Sequence, residues 1–75
     1  MNNSRRKRIN QLSEQLSSLT DDLNEILDEE SEYRDNIPEN MCESERYEQS
    51  DSDCDSLSNA IDSINEACES LGEIE

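Results

Sequence analysis

The sequence predicts an all-α fold: a two-helix antiparallel coiled-coil hairpin with surface to spare for dimerising into a four-helix bundle. Three observations carry this. Large apolar residues recur at alternating three- and four-residue intervals at Ile9, Leu12, Leu16, Leu19, Leu23, Ile26, Tyr33 and Ile37, with Glu30 the single interruption. Such spacing marks the a and d positions of a heptad, one stripe along a helix. The same spacing returns at Tyr47, Ser50, Cys54, Leu57, Ile61, Ile64, Cys68 and Leu71, and the only proline, Pro38, lies between the two series.

Taken in order, Asn2, Asn3 and Ser4 are all acceptable N-caps, so the first helix is expected over about 4–35. Pro38 ends it, because the residue before a proline is pushed out of the helical region. The turn then occupies about 36–43 and the second helix about 44–73. Its start is expected at Ser44 or, because Ser50, Asp51, Ser52 and Asp53 are poor helix formers, as late as Ser52.

If the chain folds back about Asn40, facing residues have numbers totalling 80. Ile9 then meets Leu71, Leu12 meets Cys68, Leu16 meets Ile64, Leu19 meets Ile61, Leu23 meets Leu57, Ile26 meets Cys54 and Tyr33 meets Tyr47. The two polar positions, Glu30 and Ser50, also face each other, a wet layer that fixes register.

Composition limits what else the chain can be. With 75 residues, 29% hydrophobic and neither Phe nor Trp, it holds one small domain with little core. Low hydropathy and high charge usually signify disorder; the sustained heptad argues for a fold. Two-helix burial barely offsets the ordering entropy, so a homodimer is expected, with Leu27, Ala60, Ala67 and Ile74 as the candidate oligomer surface beside the seam.

The 21 acidic residues face six basic ones, four of them at Arg5, Arg6, Lys7 and Arg8. From Ile9 onward two basic residues oppose all 21 acids, a net of −19. A surface of this sign repels nucleic acid and anionic membrane and attracts basic proteins. The register sets residues 5–8 beside the acidic end of helix 2, where they can neutralise the open end of the hairpin or serve as a targeting or phosphate-binding arm. No apolar run approaches a signal or membrane segment, so a cytoplasmic location is expected.

Chemistry-bearing signatures are sparse. There is no His, one Gly, and three cysteines, Cys42, Cys54 and Cys68, without a CxxC pair. No catalytic role, cofactor or metal is therefore expected, and the thiols are expected to be reduced. Cys54 and Cys68 fall on the seam as small apolar residues, while Cys42 falls in the turn with no cation nearby to activate it. Asp51, Asp53 and Asp55 open like an EF-hand loop, but Ser56 stands where the sharp turn wants Gly and Asp62 where a bidentate Glu is usual.

The acids themselves are periodic. Glu14, Asp21 and Asp28 repeat every seven residues on the outside of helix 1, with Glu25, Glu29 and Glu32 between them. Asp55, Asp62 and Glu69 repeat likewise on helix 2, joined by Glu66. One heptad rises roughly 10 Å, comparable with the roughly 7 Å between phosphates along a DNA strand. These rows either solvate the hairpin or imitate a nucleic-acid backbone.

Arg5-Arg6-Lys7-Arg8-Ile9, Asp28-Glu29-Glu30-Ser31-Glu32, Asp35-Asn36-Ile37-Pro38-Glu39, Ser44-Glu45-Arg46-Tyr47-Glu48 and Ala60-Ile61-Asp62-Ser63-Ile64 together resemble the uncharacterised small acidic helical-hairpin proteins of phages and mobile elements of Gram-positive bacteria. That resemblance implies a shape and a host-cytosol setting but no activity. By analogy of size and charge with anti-CRISPR and anti-restriction DNA mimics, the expected function is a phage-type inhibitor binding the basic nucleic-acid surface of a host defence nuclease. The alternative is a small coiled-coil adaptor or assembly module without mimicry.

Overall fold

The computed structural model describes residues 1–38, 40 and 44–74. Two helices, α1 (Asn3–Asp35) and α2 (Glu45–Gly72), pack against each other as an all-α hairpin measuring 59 × 15 × 12 Å. Each starts on a side-chain cap. Asn2 Oδ1 accepts from the Arg5 backbone N–H at 2.8 Å, and Ser44 Oγ accepts from the Tyr47 N–H at 3.3 Å. Ser44 thus fixes the start of α2, ahead of the weak Ser50 to Asp53 stretch. Glu45 and Glu48 in its first turn complement the positive pole of the helix.

α1 stops at Asp35, three residues before Pro38. The Asn36 N–H donates to the Glu32 carbonyl at 3.0 Å and the Ile37 N–H to the Arg34 carbonyl at 3.2 Å, tightening the last turn. Ile37 then folds under the end of the seam and is buried. Cys42, expected in the turn, lies outside the described residues.

The face that α2 turns to α1 is the expected one: Tyr47, Ser50, Cys54, Leu57, Ile61, Ile64, Cys68 and Leu71 are all buried or half-buried. On α1 the face is rotated. The a positions Ile9, Leu16, Leu23 and Glu30 are covered, but their companions are the e positions Ser13, Thr20, Leu27 and Arg34 rather than the d positions. Leu12, Leu19, Ile26 and Tyr33, expected in the seam, are between 47% and 54% exposed.

Side-chain size explains the rotation. Ser13 and Thr20 are small, and Thr20 satisfies its hydroxyl inside its own helix by donating to the Leu16 carbonyl at 2.9 Å. They can therefore be covered without an unpaired polar group, and they let the helices approach more closely than rows of leucine would. Ser50 and Cys54, the buried small residues of α2, lie nearer the tip, where they face Glu30 and Ser31.

Register follows the rotation. The Ser50 hydroxyl donates to Glu30 Oε1 at 2.8 Å, the pairing expected from numbers totalling 80. Ser31 Oγ and Cys54 Sγ lie 3.7 Å apart, and Arg34 Nη1 donates to Asp51 Oδ1 at 3.0 Å; both of these pairs total 85. Cys54 therefore neighbours Ser31 instead of sharing a buried layer with Ile26.

The rotated seam makes an unequal demand on residues that look alike in sequence. Ile61→Ala, at a buried position, is expected to cost about 2 kcal/mol or more, whereas Leu12→Ala should cost under half as much. Urea unfolding followed by circular dichroism on the two variants checks the order.

Candidate interaction surface

Two sides of the hairpin differ in chemistry. One side is marked by a shallow open groove lined by Ile26, Glu30, Asp53, Ser56 and Leu57. It places Ile26 of α1 and the Asp53 to Ser56 turn of α2 on the same side. Heptad steps from Ile26 reach Leu19 and Leu12, and heptad steps from Asp53 reach Ala60 and Ala67, all of them exposed. A second groove at the open end, lined by Met1, Arg5, Arg8, Ile9 and Leu12, continues this side. It is the apolar side of the molecule.

The opposite side carries the contacts of Ser31 with Cys54 and of Arg34 with Asp51, and it is polar. Arg34 makes both ion pairs found among the described residues, to Asp35 at 3.2 Å and Asp51 at 3.0 Å. Its side chain is 25% exposed. The hydrogen bond to Asp35 holds the guanidinium above its ordinary pKa.

Of the residues expected on an oligomer surface, Ala60, Ala67 and Ile74 are exposed, and the two alanines stand on the apolar side. Leu27 is a correction: it is an e residue and packs in the seam, half-buried, on account of the rotation of α1. Sequence reasoning missed the Leu12, Leu19, Ile26, Tyr33 row as a surface because the heptad assigned it to the core. The small residues at Ser13 and Thr20 were the available signal.

The acids occupy the two outer edges. On α1, Glu14, Asp21, Asp28 and Asp35 form one row, Glu25 and Glu32 a second, and Asp22 and Glu29 a third; all eight are exposed. The rows adjoin on the back of α1, away from α2, so Asp21, Glu25, Asp28, Glu32 and Asp35 run as one ridge at four- and three-residue steps. From Glu14 to Asp35 the ridge spans about 32 Å at roughly 1.5 Å per residue. Within that span the one basic residue is Arg34, turned to the seam.

Asp55, Asp62, Glu66 and Glu69 are exposed on the back of α2. That edge is sparser, broken by Ser52 and Asn59. Because the two edges lie on opposite sides of the hairpin, the ten acids singled out in the sequence do not form one patch. A flat basic surface can meet the α1 set of Glu14, Asp21, Glu25, Asp28, Glu29 and Glu32, or the α2 set, but not both.

Asp51, Asp53 and Asp55 lie within the continuous helix α2. Asp51 is taken by Arg34, and Asp53 Oδ1 accepts from Gln49 Nε2 at 2.9 Å. Among the described residues no group of three or more His, Cys, Asp or Glu side chains is placed to hold a metal ion, and no helix is long and apolar enough to cross a membrane. Comparison with protein-family models, with curated proteins and with solved structures finds no match to this chain.

The α1 ridge sets like charges at i and i+4, as in Asp21 with Glu25, Glu25 with Glu29, and Asp28 with Glu32. Each such pair costs a helix about 0.2–0.5 kcal/mol at low salt. Raising sodium chloride from about a tenth of physiological ionic strength to well above it, where the screening length falls below ~8 Å, should therefore raise the urea midpoint. A midpoint that falls with salt would mean that attraction outweighs repulsion on this surface.

Proposed function

We propose that the hairpin is a non-catalytic binding protein that lays the carboxylate ridge of α1 on the basic, nucleic-acid-binding surface of another protein. The observation that carries this is the density of unneutralised charge. Leaving out Asp35, which Arg34 pairs, seven exposed carboxylates from Glu14 to Glu32 over about 27 Å give one per roughly 4 Å, close to the ~3.4 Å of helix axis per charge on one strand of B-DNA. The ridge is straight because a helix carries it, and from Glu14 to Glu32 it keeps its charge because Arg34, the one cation within that span of α1, is held by Asp51 and by the last ridge carboxylate, Asp35.

Solubility alone asks for less, since mixed signs and a modest net charge suffice for a small domain. The ridge also lowers helix stability through its like-charge pairs, a cost that binding to a cationic surface removes. A basic channel built for phosphates is the natural complement, and a host defence nuclease acting in the cytosol is the partner class we favour. The hairpin would occupy that channel stoichiometrically, as phage-encoded inhibitors of the anti-CRISPR type do.

A second reading is an adaptor or assembly module whose acids only solvate it. The specific observation in its favour is the half-exposed Leu12, Leu19, Ile26 and Tyr33 row, which a solitary hairpin has no use for.

The two readings separate in sedimentation of the chain mixed with an RNA-guided nuclease. Under the mimicry reading a complex forms at low salt, dissociates at high salt, and is displaced by excess duplex DNA. Reversing Asp21, Asp28 and Glu32 to Lys should weaken it at least tenfold while helicity survives. A complex indifferent to both duplex DNA and the triple reversal would reject mimicry, and loss of binding on changing Ala60 instead would favour the adaptor.

A further inference from the structure

Four large side chains, Leu12, Leu19, Ile26 and Tyr33, stand in a row at intervals of seven on one side of α1, each about half exposed. On the same side, beyond Asp53, α2 presents Ser56, Ala60, Ser63, Ala67 and Ser70, all small and all exposed. One helix supplies knobs and the other supplies room for them. A single copy cannot bring these together, because both rows face the same way.

We infer that this face is covered by a second copy of the chain, with the two hairpins face to face, their turns at the same end, and each α1 row seated on the Ala/Ser row of the other copy's α2. A two-fold axis parallel to the long axis of the hairpin produces this arrangement, and every neighbouring helix pair is then antiparallel. The numbering that relates the helices within one copy carries over between copies. Leu12 sits over Ala67 and Leu19 over Ala60, both pairs totalling 79, and the same count puts Ile26 over Asp53, next to Ser56. Large over small is the combination that fills a bundle core without voids or overlap.

The alternative two-fold axis, which would put the turns at opposite ends, sets Leu19 on Ile26 and Ala60 near its own equivalent. One half of the core is then overfilled and the other left empty. It also brings Asp22, midway between Leu19 and Ile26, against Asp22 of the second copy.

Charge selects the same occupant. A chain of net charge −15 should repel its own kind, yet three of its six basic residues border this face. Arg5 lies one heptad before Leu12 and lines the open-end groove with Arg8; Arg46 lies two heptads before Ala60. With the turns together, Arg5 and Arg8 of one copy lie over the C-terminal end of the other's α2, where Glu73 and the negative pole of the helix stand. Arg46 comes beneath Tyr33, Glu29 and Glu32 of the other copy. This inference does not rest on the proposed use of the α1 ridge: Glu14, Asp21, Glu25 and Asp28 stay outside the interface, and only Glu29 and Glu32, at the tip end of the acidic set, border it.

Sedimentation equilibrium of the full chain tests it. The expected mass is twice 8.6 kDa, with a melting temperature that rises with protein concentration. Ala60→Lys puts a good helix former at an exposed position and Leu19→Glu charges a knob; each should weaken association at least tenfold, while Ala60→Ser leaves it unchanged. Donor and acceptor dyes on the α-amino groups of mixed wild-type chains should show strong energy transfer, since the arrangement puts both amino termini at one end of a 59 Å rod.

A wild-type chain that stays monomeric, with a melt independent of concentration, overturns the inference. So does a dimer whose association survives both Ala60→Lys and Leu19→Glu. Weak transfer within a stable dimer overturns the arrangement of the turns. Should either variant fail to fold, the wild-type mass, the concentration dependence of its melt and the transfer still decide the matter.

Discussion

The hydrogen bond from Ser50 to Glu30 is the constraint on which the hairpin's register depends. Ser50 is 2% exposed and Glu30 half-buried, so sliding the helices by one turn would bury a hydroxyl and a carboxylate against apolar neighbours with no partner for either. Leucine seams tolerate slippage because one apolar contact resembles the next; a polar pair does not. Arg34 with Asp51 repeats the lesson one turn further toward the tip, where two charges hold the hairpin's end rather than its middle.

From that pinned register follows the division of the surface. With small residues drawing the helices together along Ser13 and Thr20, the bulky d row of α1 is pushed to the rim and becomes a face. Apart from Glu30, which Ser50 satisfies in the seam, and Asp53 at the edge of the apolar groove, the acids of the helix middles lie on the back of each helix. Three kinds of surface therefore coexist on a rod of 15 × 12 Å cross-section: apolar, polar and strongly acidic. Their separation leaves the apolar face and the acidic backs as distinct surfaces that do not compete for the same residues.

The poles of the helices add a quieter order. Cations cluster at the start of α1 and acids at the end of α2, each placement unfavourable within its own helix. Antiparallel packing sets the two ends side by side, bringing opposite charges to one end of the rod without an ion pair among the described residues. The charge pattern makes sense at the level of the hairpin and not of the single helix.

Most of the fold was legible in the sequence, because helix periodicity, capping residues and a proline are local signals. The end of α1 ahead of Pro38, the whole inner face of α2 and the Glu30 to Ser50 layer could all be read from residue type and spacing, whereas the start of α2 stayed open between Ser44 and Ser52 until the structure showed the Ser44 cap. The acidic rows were equally plain, being a matter of counting by sevens. What the sequence could not decide was which two of three adjoining stripes, a, d and e, α1 would turn inward. Hydrophobicity favours a and d, but the stripe that α1 turns inward also carries Ser13, Thr20 and Arg34, and what covers each of them is supplied by α2. Only the tertiary structure, therefore, moved Leu27 into the seam, brought the Leu12 row beside Ala60, and put the two acidic sets on opposite edges, because each of these is a relation between helices that neither carries alone.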